Sequence, residues 1–167
     1  MDTRQESGPL LNADLLERSL EKALHKGGEF AEIFVEDRKG MSAVLDDGRV
    51  EELTSGRSRG AGIRVIVGET TGFAHTADLT ARGIEAAVDS AAAAARSGNS
   101  ENTSVKLGTE NKNSPTAQML PSMVEKSEKV ALLTQANEIA RSQKEEIVQV
   151  SVGYGDSRRR IQVANTD

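Results

Sequence analysis

Apolar residues recur at helical spacing in three stretches of the chain, which predicts three amphipathic helices. These stretches are residues 10–24, 81–97 and 121–140. The residues suited to be N-caps are Asn12 for the first helix, Thr80 for the second, and Ser122 or Ser127 for the third. The second helix carries a row of alanines, residues 91–95, which allows close packing on a sheet. The apolar stripe of the third helix consists of Val124, Val130, Leu133, Ala136, Ile139 and Ala140.

Elsewhere the apolar and polar residues alternate, which predicts strands. The expected strands are residues 31–36, 41–45, 49–53, 63–67, 71–75, 147–154 and 161–163. Asp47 and Gly48 supply the turn residues of a tight hairpin, and Gly155 with Asp156 suggests a second turn near the end. The pattern predicts an α+β fold with three helices and a mainly antiparallel or mixed sheet of about six to seven strands.

Composition divides the chain into four parts. Residues 1–9 are polar and are expected to form a tail, and residues 10–97 carry the α/β pattern. Residues 98–120 are rich in Gly, Asn, Ser, Thr and Lys, which is typical of an exposed loop or linker. Residues 121–167 then add a helix and a predicted β-hairpin.

Charge and composition argue against several classes of partner. The net charge is -5, and acidic and basic residues alternate rather than forming blocks, as on a solvated surface. The densest basic run is residues 158–160, and the chain has no Trp, one Tyr and three Phe with which to stack bases. No apolar run approaches the ~20 residues that span a membrane, and cysteine is absent. We therefore expect a cytoplasmic protein that binds neither nucleic acid nor membrane.

Candidate catalytic side chains are few. His25 and His75 lie far apart in sequence, and neither belongs to an H-x-x-H or H-E-x-x-H string, so no local zinc motif is present. We expect His25 to be a solvated residue near a helix end and His75 to be structural. The candidate hydroxyl nucleophiles are Ser42, Ser55, Ser58 and Ser151. Only Ser58 lies in a G-x-S-x-G string, at residues 56–60, and a strand rather than a helix follows it, so it does not fit a nucleophile elbow.

Two further groups of residues have a structural and a functional interpretation. The adjacent acids Asp46 and Asp47 could bind a metal ion, but acids before a glycine are also typical of turns. The glycines at positions 56, 60 and 62 do not have the spacing of a phosphate-binding loop, and a strand rather than a helix follows them. These glycines are more typical of a bend or of a place where two backbone segments approach closely. Arg57, Arg59 and Arg64 could contact an anionic partner.

Three ordered blocks resemble the amino-terminal region of the TldD/PmbA family, also called modulators of DNA gyrase. They are LDDGRVEE at residues 45–52, SRGAGIRVIV at residues 58–67 and GFAHTADLT at residues 72–80. The predicted hairpin over residues 150–167 is similar to the family segment that enters a second domain. The resemblance covers residues 14–167 outside the variable linker, and the phrase around Gly72 and Phe73 favours the TldD branch.

The resemblance implies a cytoplasmic two-domain subunit that pairs with a related subunit, as a homo- or hetero-oligomer. It also implies that the pair encloses a channel and cleaves unfolded peptides at a zinc site. The family zinc motif, H-E-x-x-x-H, belongs to a carboxyl-terminal region, and this sequence contains no such string. We therefore assign no catalytic, cofactor-binding or metal residue to this chain and expect it to be inactive alone. Zinc is expected in the carboxyl-terminal domain. The expected role is to support the channel and the subunit pairing, with residues 41–53 and 63–76 as the wall.

Two alternatives stay open. The chain could be a protein-binding regulatory module of the gyrase-modulator type with no protease activity. It could also be a soluble α/β domain whose likeness to the family is coincidental, and the absence of the hairpin at Asp46 to Gly48 would favour that interpretation.

Overall fold

The computed structural model describes residues 8–96 and 119–167. Most of the predicted tail over residues 1–9 and nearly all of the predicted linker over residues 98–120 lie outside the described residues. The described residues form three α-helices, one short 3₁₀ turn and four strands. The helices are α1 (Ala13–His25), α2 (Ala81–Ala95) and α3 (Lys126–Arg141), with the 3₁₀ turn at Pro121–Met123. The strands are β1 (Phe30–Asp46), β2 (Arg49–Val67), β3 (Thr70–Thr76) and β4 (Ser151–Asn165).

Two of the predicted helix caps are confirmed. The side chain of Asn12 accepts a hydrogen bond from the backbone N–H of Leu15 at 2.7 Å, and Thr80 accepts one from Gly83 at 3.3 Å. Each bond satisfies one of the backbone donors that a helix leaves unpaired in its first turn. The predicted caps of α3 are wrong, because Glu125 is its N-cap residue and makes no capping side-chain bond.

The four strands form one sheet in the order β3-β2-β1-β4. Strands β2 and β3 are antiparallel, with Ala61 opposite Thr76 and Val67 opposite Thr70. The turn between β1 and β2 has positive φ at Asp47 (49°) and Gly48 (80°), as a two-residue hairpin requires. This confirms the predicted Asp-Gly hairpin.

The prediction of six to seven strands is wrong, because three pairs of predicted strands are single strands. Strand β1 runs through Gly40, β2 runs through residues 55–62, and β4 runs through Gly155 and Asp156. Glycine weakens a strand but remains compatible with extended backbone when neighbouring strands supply the hydrogen bonds. Within the described ranges, positive φ occurs at Gly27, Asp47, Gly48 and Gly68 and not at Gly155 or Asp156, so the predicted terminal hairpin is absent.

The described residues belong to two compact units. Unit 1 comprises residues 8–37, 58–96 and 160–167, and its core lies between helices α1 and α2 and one face of the sheet. Every fully buried apolar residue of this core is aliphatic. The largest of them are Leu20, Ile33, Val35, Ile63, Val65, Ile84 and Val88. Each such side chain contributes about 1.5–3 kcal/mol through burial.

Helix α2 packs very closely on β3 in unit 1. A methyl group placed on Gly72 would lie 2.0 Å from the backbone oxygen of Ala91 and 2.6 Å from the backbone nitrogen of Ala95. This is a separation that only glycine permits. The expectation that the alanine-rich helix packs against the sheet is therefore confirmed.

Unit 2 comprises residues 38–57 and 119–159 and has a smaller core. Its buried apolar residues are Met41, Ala43 and Leu45 of β1 and Leu133 of α3. Val152 and Tyr154 of β4 pack against them. The buried residues of α3 are Lys129, Leu133 and Asn137, so the predicted apolar stripe is wrong in part. Ala136 and Ile139, which belonged to that stripe, are exposed.

Candidate functional site

The structure keeps the two histidines on separate elements. His25 is the last residue of α1, is exposed, and has its Nδ1 2.8 Å from the backbone oxygen of Glu21. His75 lies on β3 with its ring centroid 6.5 Å from that of Phe73, which is itself 64% exposed. Among the residues that the structure describes, no group of three or more His, Cys, Asp or Glu side chains could hold a metal ion. The described residues therefore do not fit a zinc site.

The adjacent acids at the hairpin turn each have a partner within unit 2. Asp46 accepts hydrogen bonds from the side-chain amide of Gln149 at 3.1 and 3.2 Å. Asp47 forms an ion pair with Arg141 at the end of α3. These contacts hold the turn against the rest of unit 2. They agree with the structural interpretation of both acids.

Two of the three glycines at positions 56, 60 and 62 lie where another part of the chain approaches the backbone closely. A methyl group on Gly60 would lie 2.9 Å from the backbone oxygen of Thr76, and one on Gly62 would lie 3.3 Å from the Phe73 ring. Gly56 has open space around it. Arg64, one of the three arginines proposed for an anionic partner, lies 3.3 Å from Glu32 and 5.4 Å above the ring of Phe30. Its charge is thus partly compensated within the chain.

The most buried polar cluster of unit 2 joins α3 to β4. The ammonium group of Lys129 donates to Asp156 Oδ2 at 2.7 Å and to the backbone oxygen of Pro121 at 2.8 Å. The hydroxyl of Tyr154 donates to the same Asp156 oxygen at 2.7 Å, and the Lys129 nitrogen lies 5.7 Å from the Tyr154 ring centre. The side chains of Lys129 and Asp156 are 6% and 16% exposed. We call these three residues the Lys129 cluster.

The electrostatics of the Lys129 cluster favour a fixed structure over proton transfer. Burial acts to raise the pKa of Asp156, but the hydrogen bonds from Lys129 and Tyr154 and the charge of Lys129 outweigh it, so this pKa is lowered. The hydrogen bond to Asp156, with burial, raises the pKa of Tyr154. Near neutral pH Asp156 is therefore ionised and Tyr154 is protonated, and neither is suited to exchange a proton with a substrate.

Sequence reasoning missed the Lys129 cluster for a definable reason. Asp156 was assigned to a turn, whereas on a continuous β4 it alternates with Tyr154 and Val152 on the face toward the unit 2 core. A buried carboxylate requires a cationic or hydrogen-bonding partner. The spacing of Lys129 and Leu133 on α3 is the signal that could have identified that partner.

In unit 1 a second ionic contact joins the two helices. Asp89 of α2 lies 3.0 Å from Lys22 and 2.9 Å from Lys26, at the C-terminal end of α1. The hydrogen bond from Lys26 is the main cause of the lowered pKa of Asp89, and Lys22 adds to it. The Asp89 side chain is 44% exposed, so solvent screens this contact and its stabilising effect is small.

None of the described helices combines the length and the apolar character that crossing a membrane requires.

A family model and several solved structures match the chain. Residues 31–95 match the family described as PmbA/TldA metallopeptidase domain 1. A search of curated protein sequences gave no match. A crystal structure from Thermotoga maritima, named as a candidate modulator of a DNA gyrase, matches 92% of the chain with a TM-score of 0.73 and 20% identity. A second structure so named, from Bacteroides thetaiotaomicron, matches 92% with a TM-score of 0.68 and 18% identity.

The crystal structure of TldE from Thermococcus kodakarensis matches 90% of the chain with a TM-score of 0.63 and 15% identity. At these identities the similarity establishes the fold. The chain covers 35–36% of the length of these three proteins, so it spans about a third of each. The family match includes the hairpin, most of β1 and all of β2, β3 and α2. Residues 31–95 therefore match the first domain of the PmbA/TldD family, which is the family that the three sequence blocks indicate.

Proposed function

We propose that this chain is the non-catalytic amino-terminal part of a TldD/PmbA-type zinc metalloprotease subunit that acts on unfolded peptides in the cytoplasm. The observation that carries the proposal is the match of residues 31–95 to the first domain of a metallopeptidase family. The fold similarity extends over 92% of this chain and only 35% of the Thermotoga maritima protein. In the proposal, the peptidase chemistry and the zinc belong to the remaining part of such a protein.

Surface features of the described residues support a role in guiding or holding a polypeptide. The proposed channel wall, residues 41–53 and 63–76, includes the exposed apolar side chains of Val50 and Leu53, at 46% and 50%, and Phe73 at 64%. We infer that these three side chains offer apolar contact area to an unfolded peptide. The proposal places these side chains along the substrate path and gives the Lys129 cluster a supporting role.

The first test measures metal and activity on the 167-residue chain. Purified protein is analysed for zinc by plasma mass spectrometry and is incubated with an unstructured fluorogenic peptide. We expect no stoichiometric zinc and no cleavage. Stoichiometric zinc with cleavage that a chelator abolishes would contradict the proposal that this part of the protein is non-catalytic.

The second test measures the supporting role directly. The chain is mixed with a TldD/PmbA-type subunit that carries the H-E-x-x-x-H motif, and co-elution and peptide cleavage are measured. We expect a complex of the two, and we expect Phe73→Ser to lower cleavage while Thr71→Ser, on the same strand, leaves it unchanged. Failure to form a complex with any such subunit would argue against the proposed pairing.

A second candidate function is a protein-binding module that regulates DNA gyrase. The names of the two solved structures from Thermotoga maritima and Bacteroides thetaiotaomicron favour it. It predicts that the 167-residue chain binds purified gyrase subunits and changes their supercoiling rate. The two functions are separable, because the gyrase assay requires neither zinc nor a peptide.

A further inference from the structure

Helices α1 and α2 of unit 1 pack on the same face of the sheet and leave its other face open. Ala31, Ile33 and Val35 of β1 are fully buried on the helix side. Because side chains alternate along a strand, the residues between them project from the opposite face. That face carries six large apolar side chains, contributed by all four strands. They are Phe30, Phe34, Ile66, Phe73, Ile161 and Val163, which we call the Phe face.

The composition of the Phe face differs from that of an ordinary solvated sheet surface. All three phenylalanines of the chain lie on it, whereas the fully buried apolar residues of the unit 1 core are aliphatic. Phe73, Val163 and Ile161 are 64%, 52% and 49% exposed, and the other three side chains are partly exposed. The solvated face of an antiparallel sheet normally carries polar residues. An exposed apolar surface of this kind is instead typical of a binding site.

The side chains of the Phe face are connected from strand to strand. Arg64 lies directly opposite Phe73 in the β2–β3 pair, and its guanidinium lies 5.4 Å from the centre of the Phe30 ring. On the other side of β1, the backbone N–H of Thr166 donates to Ala31. In an antiparallel pair this register places position 163 opposite position 34, so Val163 lies beside Phe34. The apolar surface therefore extends from β3 to β4.

The charged groups of this face are compensated within the chain. Arg64 lies 3.3 Å from Glu32, and Glu36 also has an interaction within the chain. An acidic or basic ligand would have to compete with these existing contacts. The Phe face is therefore complementary in charge to an uncharged apolar segment.

The spacing of side chains on this face matches that of an extended polypeptide. The ring centroids of Phe73 and His75 are 6.5 Å apart on β3. Alternate side chains of any extended chain are about 6.6 Å apart, so a segment running along the strands keeps its alternate side chains in step with this surface. The remainder of the present sequence is poorly suited to this role, because residues 1–7 and 97–118 contain Met1, Val105 and Leu107 as their only large apolar residues.

We propose that the Phe face binds uncharged segments of an unfolded polypeptide that carry aromatic or large aliphatic residues at alternate positions. The inference rests on the proposed function and names the class of substrate segment that such a subunit selects. Aromatic residues of the segment gain most, because ring–ring contacts add to the burial of apolar area.

The test is fluorescence anisotropy of the 167-residue chain with short labelled peptides. Each peptide consists of Gly and Ser with Phe, Leu, Glu or Lys at alternate positions. We expect the Phe peptide to bind at least roughly tenfold more tightly than the Glu and Lys peptides, with the Leu peptide between them. A peptide of the same composition with Phe at every third position should bind more weakly than the alternating one.

Exposed substitutions identify the surface that the peptide contacts. Phe73→Ser, Ile161→Ser and Val163→Ser should each weaken binding of the Phe peptide by roughly threefold or more, and Phe73→Leu should weaken it less. Leu132→Ser is the matched control, because Leu132 is 55% exposed but lies on α3 in unit 2, and it should leave binding unchanged. Circular dichroism checks that each variant keeps the fold.

Three results would overturn the inference. The first is equal binding of the Phe, Glu and Lys peptides, and the second is Phe-peptide binding that none of the three serine substitutions on the Phe face weakens. The third is a chain that binds no peptide and instead forms a dimer that these substitutions dissociate, since a second copy would then cover the Phe face. Failure of the proposed function is a separate result, because zinc-dependent cleavage by this chain would leave the anisotropy measured with a chelator unchanged.

Discussion

At the residue scale, position 72 tests how closely α2 and β3 pack. A side-chain methyl group there would meet the backbone of Ala91 and Ala95, which cannot rotate away as a side chain can. We expect Gly72→Ala to destabilise the chain by about 2 kcal/mol or more through overpacking. Urea denaturation measures the loss. Gly153→Ala is the matched control, since it is also a strand glycine but has no atom within 4 Å, and it should change stability by less than about 0.5 kcal/mol.

The Lys129 cluster predicts how stability depends on pH. The pKa of Asp156 is lowered by folding, so its contribution is present above the unfolded pKa of about 4 and is lost as the pH falls through the folded pKa. The pKa of Tyr154 is raised, so its contribution is present below about pH 10 and is lost as the pH rises through the folded pKa. We expect Tyr154→Phe to reduce the alkaline loss and to keep an acid loss, as urea denaturation at a series of pH values would show.

At the scale of the element, helix α3 contains two adjacent leucines with different environments. Leu133 is 3% exposed in the unit 2 core, whereas Leu132 is 55% exposed. We expect Leu133→Ala to cost about 2–3 kcal/mol through lost burial and a cavity, and Leu132→Ala to cost less than about 0.5 kcal/mol. Thermal unfolding of the two variants measures the two losses of stability. Equal losses would contradict the assignment of Leu133 to the buried face of α3.

The elements whose signals are local could be predicted from the sequence, and those that depend on long-range contacts could not. Asn12, Thr80 and the Asp47-Gly48 turn act within a few residues, so the helix starts and the hairpin follow from the sequence. The strand breaks at Gly40 and Gly155 were wrong because β1 and β4 are neighbours in the sheet although they lie far apart in sequence.

The same distinction applies to the candidate site. Asp47 could be assigned to the turn because the residue types and their order suffice, whereas Asp46 is the last residue of β1. The buried Lys129 was not identified, because an amphipathic pattern places lysine on the solvent side unless its partner is known, and its spacing from Leu133 was the one signal against that placement. That partner, Asp156, comes from a different element and was itself assigned to a turn.

At the scale of the whole molecule, unit 1 is built from both ends of the described chain. The side-chain oxygen of Gln162 accepts hydrogen bonds from the backbone N–H groups of Leu10 and Leu11, both at 2.8 Å. The backbone N–H of Thr166 donates to Ala31 at 3.1 Å, and Ala164 is 7% exposed in the unit 1 core. Residues 160–167 are therefore a structural part of a unit whose other described residues precede position 97.

A fragment of residues 1–97 is accordingly expected to fold poorly alone, although sequence composition alone marks this region as a domain. Removing residues 160–167 exposes the edge of β1 and the apolar side chains beside Ala164 to solvent. The fragment therefore loses hydrogen bonds and buried apolar area. Adding a peptide of residues 157–167 should increase the strand signal in circular dichroism and raise the melting temperature with peptide concentration, because the peptide binds the folded form. The same peptide with Ala164→Asp places a charge in the core and should have little effect. A fragment that is fully folded without the peptide would show that β4 is an accessory to unit 1 and not one of its structural strands.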